Sequence, residues 1–145
     1  MQNINTTPKD SDSLTSPRTD DHGIEQEIQA KGLTAPRVTP ADIEGNIASE
    51  HYFTAAEGVI GMFTAGEIAN GRGVYPDEVG RLKPELGLLT FCVLILRNCF
   101  TVTGESACAS PENFNAEIGR KIAREHAKQK ILPLMGYELR SKLSA

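Results

Sequence analysis

The sequence has no tryptophan, only three cysteines and no apolar run long enough to cross a bilayer. Its longest apolar stretch, Leu88 to Leu96, is interrupted by Thr90 and Cys92 and falls far short of the roughly 20 residues that a spanning helix needs. A membrane-spanning protein is therefore excluded. The N-terminus, MQNINTTPKDSDSLTSPRTDD, has no apolar core behind a charged start, so it does not read as a signal peptide and a cytoplasmic location is expected. Cys92, Cys99 and Cys108 are odd in number, with no CxxC spacing and no matching His pair. That argues against a disulfide framework and against a zinc site, and leaves reduced thiols as the expectation. Carboxylates show no spacing suited to paired acid and base work, and His22, His51 and His126 lie far apart in sequence. No catalytic constellation or cofactor motif can be assembled, so the protein is expected not to be an enzyme and to need no cofactor.

What is present, at 145 residues, supports one small domain. Residues 1–22 are rich in Ser, Thr, Asp and Pro and read as a disordered tail. Ile24 and Ile28, one helical turn apart and followed by Gly32, predict a short helix. Thr39-Pro40-Ala-Asp-Ile-Glu supplies a cap, a Pro at the first helical position and an acidic first turn, so a second helix is predicted to run to about Ser49 or Glu50. His51-Tyr-Phe-Thr54 reads as a strand. From Ala55 to Gly87 the chain carries seven Gly and two Pro without sustained periodicity, which predicts an irregular excursion. Leu88 to Leu96 and Phe100 to Thr103 predict two strands joined by a tight turn, the first central or covered on both sides, the second showing Thr101 and Thr103 to one face and Phe100 and Val102 to the other.

Ser110-Pro111-Glu112 is read as the start of the longest helix, whose sheet-packing face is expected to carry Phe114, Ile118 and Ile122 and, continuing the stripe on an adjacent track, Ala123, Ala127 and Ile131, with a break at Leu132-Pro133. A last short helix is expected after Gly136. Together these elements predict an α+β fold: a small antiparallel sheet centred on a hairpin at about 88–108, packed by a C-terminal helix at about 111–131 and by short N-terminal helices, within a single domain 23–145.

Charge is uneven. Residues 117–142 hold seven Lys/Arg against three Glu, a local +4; with a chain net charge of −4 the remainder is −8. A basic helix in an acidic protein suits the phosphates of a small ligand better than a long nucleic acid; a solvated face with Glu117 and Lys121 paired is the plainer reading. Gly104-Glu-Ser106-Ala-Cys108 fails as a nucleophile elbow at its last glycine and lacks a triad order. Asn70-Gly-Arg-Gly73 is a weak phosphate-loop signal. Asn113 and Asn115, in the expected first turn of the long helix, lie beside unpaired N–H groups and the positive end of its dipole, a seat for ribose hydroxyls and phosphate or simply a cap.

The stretch Leu89 to Leu139, LTFCVLILRNCFTVTGESACASPENFNAEIGRKIAREHAKQKILPLMGYEL, resembles the phage gene-product-forty-nine family, small proteins of tailed phages and prophages. Cys99 stands where that family has a turn glycine, Asn115 where Asp is usual and Leu132 where Trp is usual. These departures are expected to strain the turn, remove a charge and loosen the core. The core is also similar to that of the phage Thoeris anti-defence sponge of the Tad-one type. That resemblance implies a homo-oligomeric, non-catalytic protein of the host bacterial cytoplasm that sequesters cyclic nucleotide or glycocyclic ADP-ribose immune signals. It places the ligand-binding residues at Thr103, Asn113, Asn115 and Lys130 or Arg124. The alternative is a phage protein that inhibits or redirects a host protein through its basic helix or the 55–87 excursion; an enzyme using Ser106 or Cys108 comes third.

Overall fold

A computed structural model describes residues 21–71 and 83–145. The expected tail therefore lies outside the described residues, save for Asp21 and His22, which open the first helix. The chain divides into two compact units, Met1–Ala35 and Pro36–Ala145. In the first, α1 (Asp21–Ala30) carries a Lys31–Glu27 ion pair at 2.8 Å and ends at Gly32, whose φ of 64° lets Gly32 and Leu33 donate back to Gln29 and Ile28.

The second unit is an α+β fold. Its elements are α2 (Pro40–Gly45), β1 (Ile47–Thr54), α3 (Ala55–Ala69), a 3-10 turn (Pro84–Leu88), β2 (Leu89–Leu96), β3 (Thr101–Ala107), a second 3-10 turn (Pro111–Asn113) and α4 (Ala116–Leu143). The sheet is antiparallel in the order β1-β2-β3, so the apolar β2 is central, as its lack of a polar face requires.

Thr39 and Asp42 form a reciprocal capping box at the head of α2. The helix ends at Gly45, earlier than expected, because Asn46 caps it and Ile47 already pairs with Leu96 in the sheet. The excursion expected at 55–87 begins instead as α3, fifteen residues long. Thr54 and Glu57 exchange hydrogen bonds of 2.8 and 3.2 Å in a second capping box that offsets the cost of its glycines.

The long helix also differs from its expected bounds. Ser110 and Pro111 open only a 3-10 turn, and Asn115 caps α4 by accepting the Ile118 N–H at 3.1 Å. At the other end α4 runs through Pro133 to Leu143 as one helix of 28 residues. Pro133 is exposed, with fully buried Ile131 before it and Met135 packed on the core beyond it, so tertiary contacts on both sides hold the helix across the missing N–H.

The face of α4 that meets the sheet is Gly119, Ala123, Ala127 and Ile131, against Cys92, Leu94, Leu96 and Val102. Ile118 and Ile122, expected to line it, are 55% and 40% exposed. Leu132 is 49% exposed, so the residue at that position does not build the core.

The β2–β3 turn explains itself through Cys99. Cys99 donates to Leu96 O at 2.9 Å, Leu96 N donates to Phe100 O at 2.8 Å, and the three-residue loop forces Cys99 to φ 69°, a region that favours glycine. Cys99 is exposed, so removing its side chain leaves no cavity. Cys99→Gly is expected to stabilise the protein by about 1 kcal/mol, read as a raised urea midpoint at constant m-value.

Candidate functional site

The five residues named from the sequence fall into three groups in one chain. Arg124 lies on the side of α4 that faces β1 and α2. There its Nε donates to Glu50 Oε2 at 2.7 Å, and its two terminal nitrogens grip Glu44 at 3.0 and 2.9 Å. Lys128, one turn on, pairs with Glu44 at 2.7 Å and Glu125 at 3.3 Å. The basic charge here is spent on carboxylates of its own fold, tying three elements together.

The electrostatics follow from those partners. The Arg124 guanidinium and the Lys128 ammonium, both hydrogen-bonded to Glu44, hold its carboxyl down to about 2 from an ordinary 4.5. The hydrogen bonds that Arg124 donates to Glu44 and Glu50 push it up in turn. Burial works against the charge on Lys128, but its bonds to Glu44 and Glu125 outweigh that and hold it above its usual value. Next to this network, burial and the neighbouring Cys92 and Glu50 push the Tyr52 hydroxyl up to about 12. Burial also raises the Cys92 thiol, which keeps it an inert core side chain.

Because the Glu44 carboxyl is depressed in the folded state, its contribution is present above about pH 4.5 and is lost as pH falls through about 2. With the Glu44 side chain 44% exposed, solvent screening reduces the contribution to about 1 kcal/mol. Glu44→Gln is expected to lose this much at pH 6 and to converge on the wild type near pH 2, in urea titrations at the two pH values.

Thr103 and Lys130 meet at the opposite side of α4. Thr103, paired across the sheet with Val93, is exposed on the edge strand β3, and the Lys130 ammonium donates to its hydroxyl at 3.5 Å. Among the described residues no carboxylate lies within ion-pair distance of Lys130. One turn earlier on α4, His126 Nδ1 donates to the Glu105 carbonyl at 2.7 Å. A carbonyl only accepts, so the proton is on Nδ1, and the bond fastens the helix to the sheet edge. His126 was not singled out in the sequence; its i,i+4 spacing from Lys130 was the available signal.

Asn113 and Asn115 form the third group, at the head of α4. Asn115 is the cap itself, its amide oxygen spent on Ile118 N–H. Asn113 lies outside the helix, in the 3-10 turn before it, where its backbone N–H donates to Ser110 O at 3.0 Å and its side chain is exposed. At a rise of about 1.5 Å per residue, the fifteen residues from Asn115 to Lys130 span about 22 Å, so one copy of the chain does not bring these groups together. Of the weak loop at Asn70–Gly73, Gly71 turns with φ 69° and residues 72 and 73 lie outside the described residues.

A family model described as "Phage protein (N4 Gp49/phage Sf6 gene 66) family" matches residues 38–143. The chain belongs to this family of phage proteins. The match begins just before the Thr39 cap and ends at the last residue of α4, so the N4 Gp49/phage Sf6 gene 66 family region takes in the whole sheet, the Arg124 network and the Lys130 edge. No curated protein and no solved structure matches the chain. Among the described residues, no helix is long and apolar enough to cross a membrane.

Proposed function

We propose that this phage protein sequesters a cyclic nucleotide or glycocyclic ADP-ribose immune signal, without cleaving it, as a homo-oligomer in the cytoplasm of the infected bacterium. The observation that carries the reading is the contrast between the cations of α4. Arg124 and Lys128 are neutralised by Glu44, Glu50 and Glu125, whereas the described partner of Lys130 is the neutral hydroxyl of Thr103. A cation held beside a hydroxyl at an exposed strand edge suits a phosphate or pyrophosphate oxygen.

The amide of Asn113 and the N–H groups at the head of α4 supply donors of the second kind that a nucleotide needs, for ribose hydroxyls. Because about 22 Å separates the two groups along the helix, in this reading they come together from neighbouring copies. Arg124 serves the fold in this reading, holding α2 and β1 to α4, and Asn115 serves as the cap. The acidic remainder of the chain disfavours a long nucleic acid.

Isothermal titration with a cyclic dinucleotide and with an ADP-ribose ring isomer tests the site. Lys130→Ala and Asn113→Ala are each expected to weaken binding at least about tenfold, with circular dichroism and thermal midpoint unchanged. Affinity unaltered in both variants contradicts the assignment.

A further inference from the structure

We infer that a second copy of this chain covers the face of the sheet turned away from α4, packing sheet on sheet about a two-fold axis that runs along the strands. The inference rests on the reading of the protein as a homo-oligomer and names the surface that assembles it; Thr103, on the edge strand beside Lys130, lies at the rim of that surface, and the inference does not depend on any ligand.

The two faces of β2 are treated differently. Thr90, Cys92, Leu94 and Leu96 are buried under α4, whereas Phe91, Val93 and Ile95, on the other face, are only half-buried. In the register of the sheet that second face reads in rows: His51–Val93–Thr103, and beside it Phe53–Phe91–Glu105. Phe53 and Phe91 stack at 5.4 Å. Among the described residues of the unit, α3 and the 3-10 turn at Pro84–Leu88 approach β1 and β2, and α3 reaches this face at one end, where Gly58 lies against the Phe53 ring. There α3 leaves Met62 and Phe63 exposed at 64% and 46%.

Area and charge select a second copy as the occupant. Strands of seven or eight residues measure about 23 to 26 Å, three of them span about 14 Å, and α3 adds a wall about 22 Å long, giving roughly 600 Å² per copy. Two copies hide about 1,200 Å², which reaches the range of stable interfaces, while 600 Å² left open is the upper end for a monomer.

The ionisable side chains of the face are His51 on β1 and Glu105 on β3, opposite edges and adjacent rows. A two-fold axis along the strands lays β1 of one copy over β3 of the other, so each His51 falls diagonally across from the second copy's Glu105. The face is thus complementary to itself, and it offers a strongly charged partner little to grip.

Sedimentation equilibrium of the full chain without ligand, from about 1 to 100 µM, tests the surface. The wild type is expected to assemble, and Val93→Glu, which places a charge at the centre of the face, to raise the dissociation constant at least about a hundredfold. His51→Glu, at an exposed position, is expected to weaken assembly about tenfold and the exchange His51→Glu/Glu105→His to restore it. If circular dichroism shows Val93→Glu unfolded, the His51 pair of variants decides alone. A wild type that stays monomeric at about 100 µM, or an assembly that none of these variants shifts, overturns the inference. Binding titrations on the same samples report separately on the ligand, so a dimer without ligand and a ligand without this dimer are distinct results.

Discussion

Gly104→Ala is expected to cost the folded state at least about 3 kcal/mol and to leave little folded protein at 37 °C. Gly104 sits in β3 directly under α4, and a methyl group added there would overlap the Ala123 carbonyl oxygen and the Ala127 amide nitrogen and come within 3.0 Å of Ala127 Cα. These are backbone atoms of a regular helix, so no side chain can rotate away. The whole helix would have to lift from the sheet, opening the interface with Cys92, Leu94 and Val102. Gly119 makes the same close approach from the helix side, where an added Cβ would lie 3.1 Å from the Thr90 hydroxyl. Urea denaturation followed by circular dichroism reads the effect; a variant within about 1 kcal/mol of the wild type would mean that α4 does not rest on the sheet at Gly104.

Ile131→Ala is expected to cost about 3 kcal/mol, and Ile118→Ala less than about 1 kcal/mol, although both are isoleucines of one helix. Ile131 is fully buried among the core side chains, and truncating it leaves a cavity that the small neighbours Ala127 and Ala123 cannot fill. Ile118 is 55% exposed and loses few contacts. Equal effects at the two positions, measured in the same denaturation series, would require α4 to be rotated about its axis from the arrangement described.

That pair also marks where sequence reasoning stopped. The apolar spacing puts Phe114, Ile118 and Ile122 on the packing face together with the adjacent track of Ala123, Ala127 and Ile131. The helix buries the adjacent track, as expected, and leaves Ile118 and Ile122 exposed, because Gly104 brings the two backbones close together at Ala123 and Ala127. The hairpin was legible because Leu88 to Leu96 has no polar face and Phe100 to Thr103 alternates. The Thr39 box was legible for the same kind of local reason.

α3 was hidden by its glycines and by an apolar composition without a clear polar side, although Thr54-Ala-Ala-Glu57 carried the capping signal. Most of all, the basic character of residues 117–142 did not reveal which cations are free. Arg124 finds Glu50 and Glu44 at sequence separations of 74 and 80, and only the fold brings those carboxylates to it. The candidate residues Thr103 and Lys130 meet for the same reason, through contact between α4 and the edge of the sheet.

The most direct measurement is native mass spectrometry of the full chain titrated with cyclic dinucleotides, cyclic trinucleotides and glycocyclic ADP-ribose isomers. It reports assembly state and ligand mass together. An oligomer that takes up one of these, and releases it unaltered on heating, is the expected result. A chain that binds none of them in any assembly state, or that returns a cleaved ligand, contradicts sequestration; a stoichiometric host protein recovered with the same chain would then point to inhibition of a host factor.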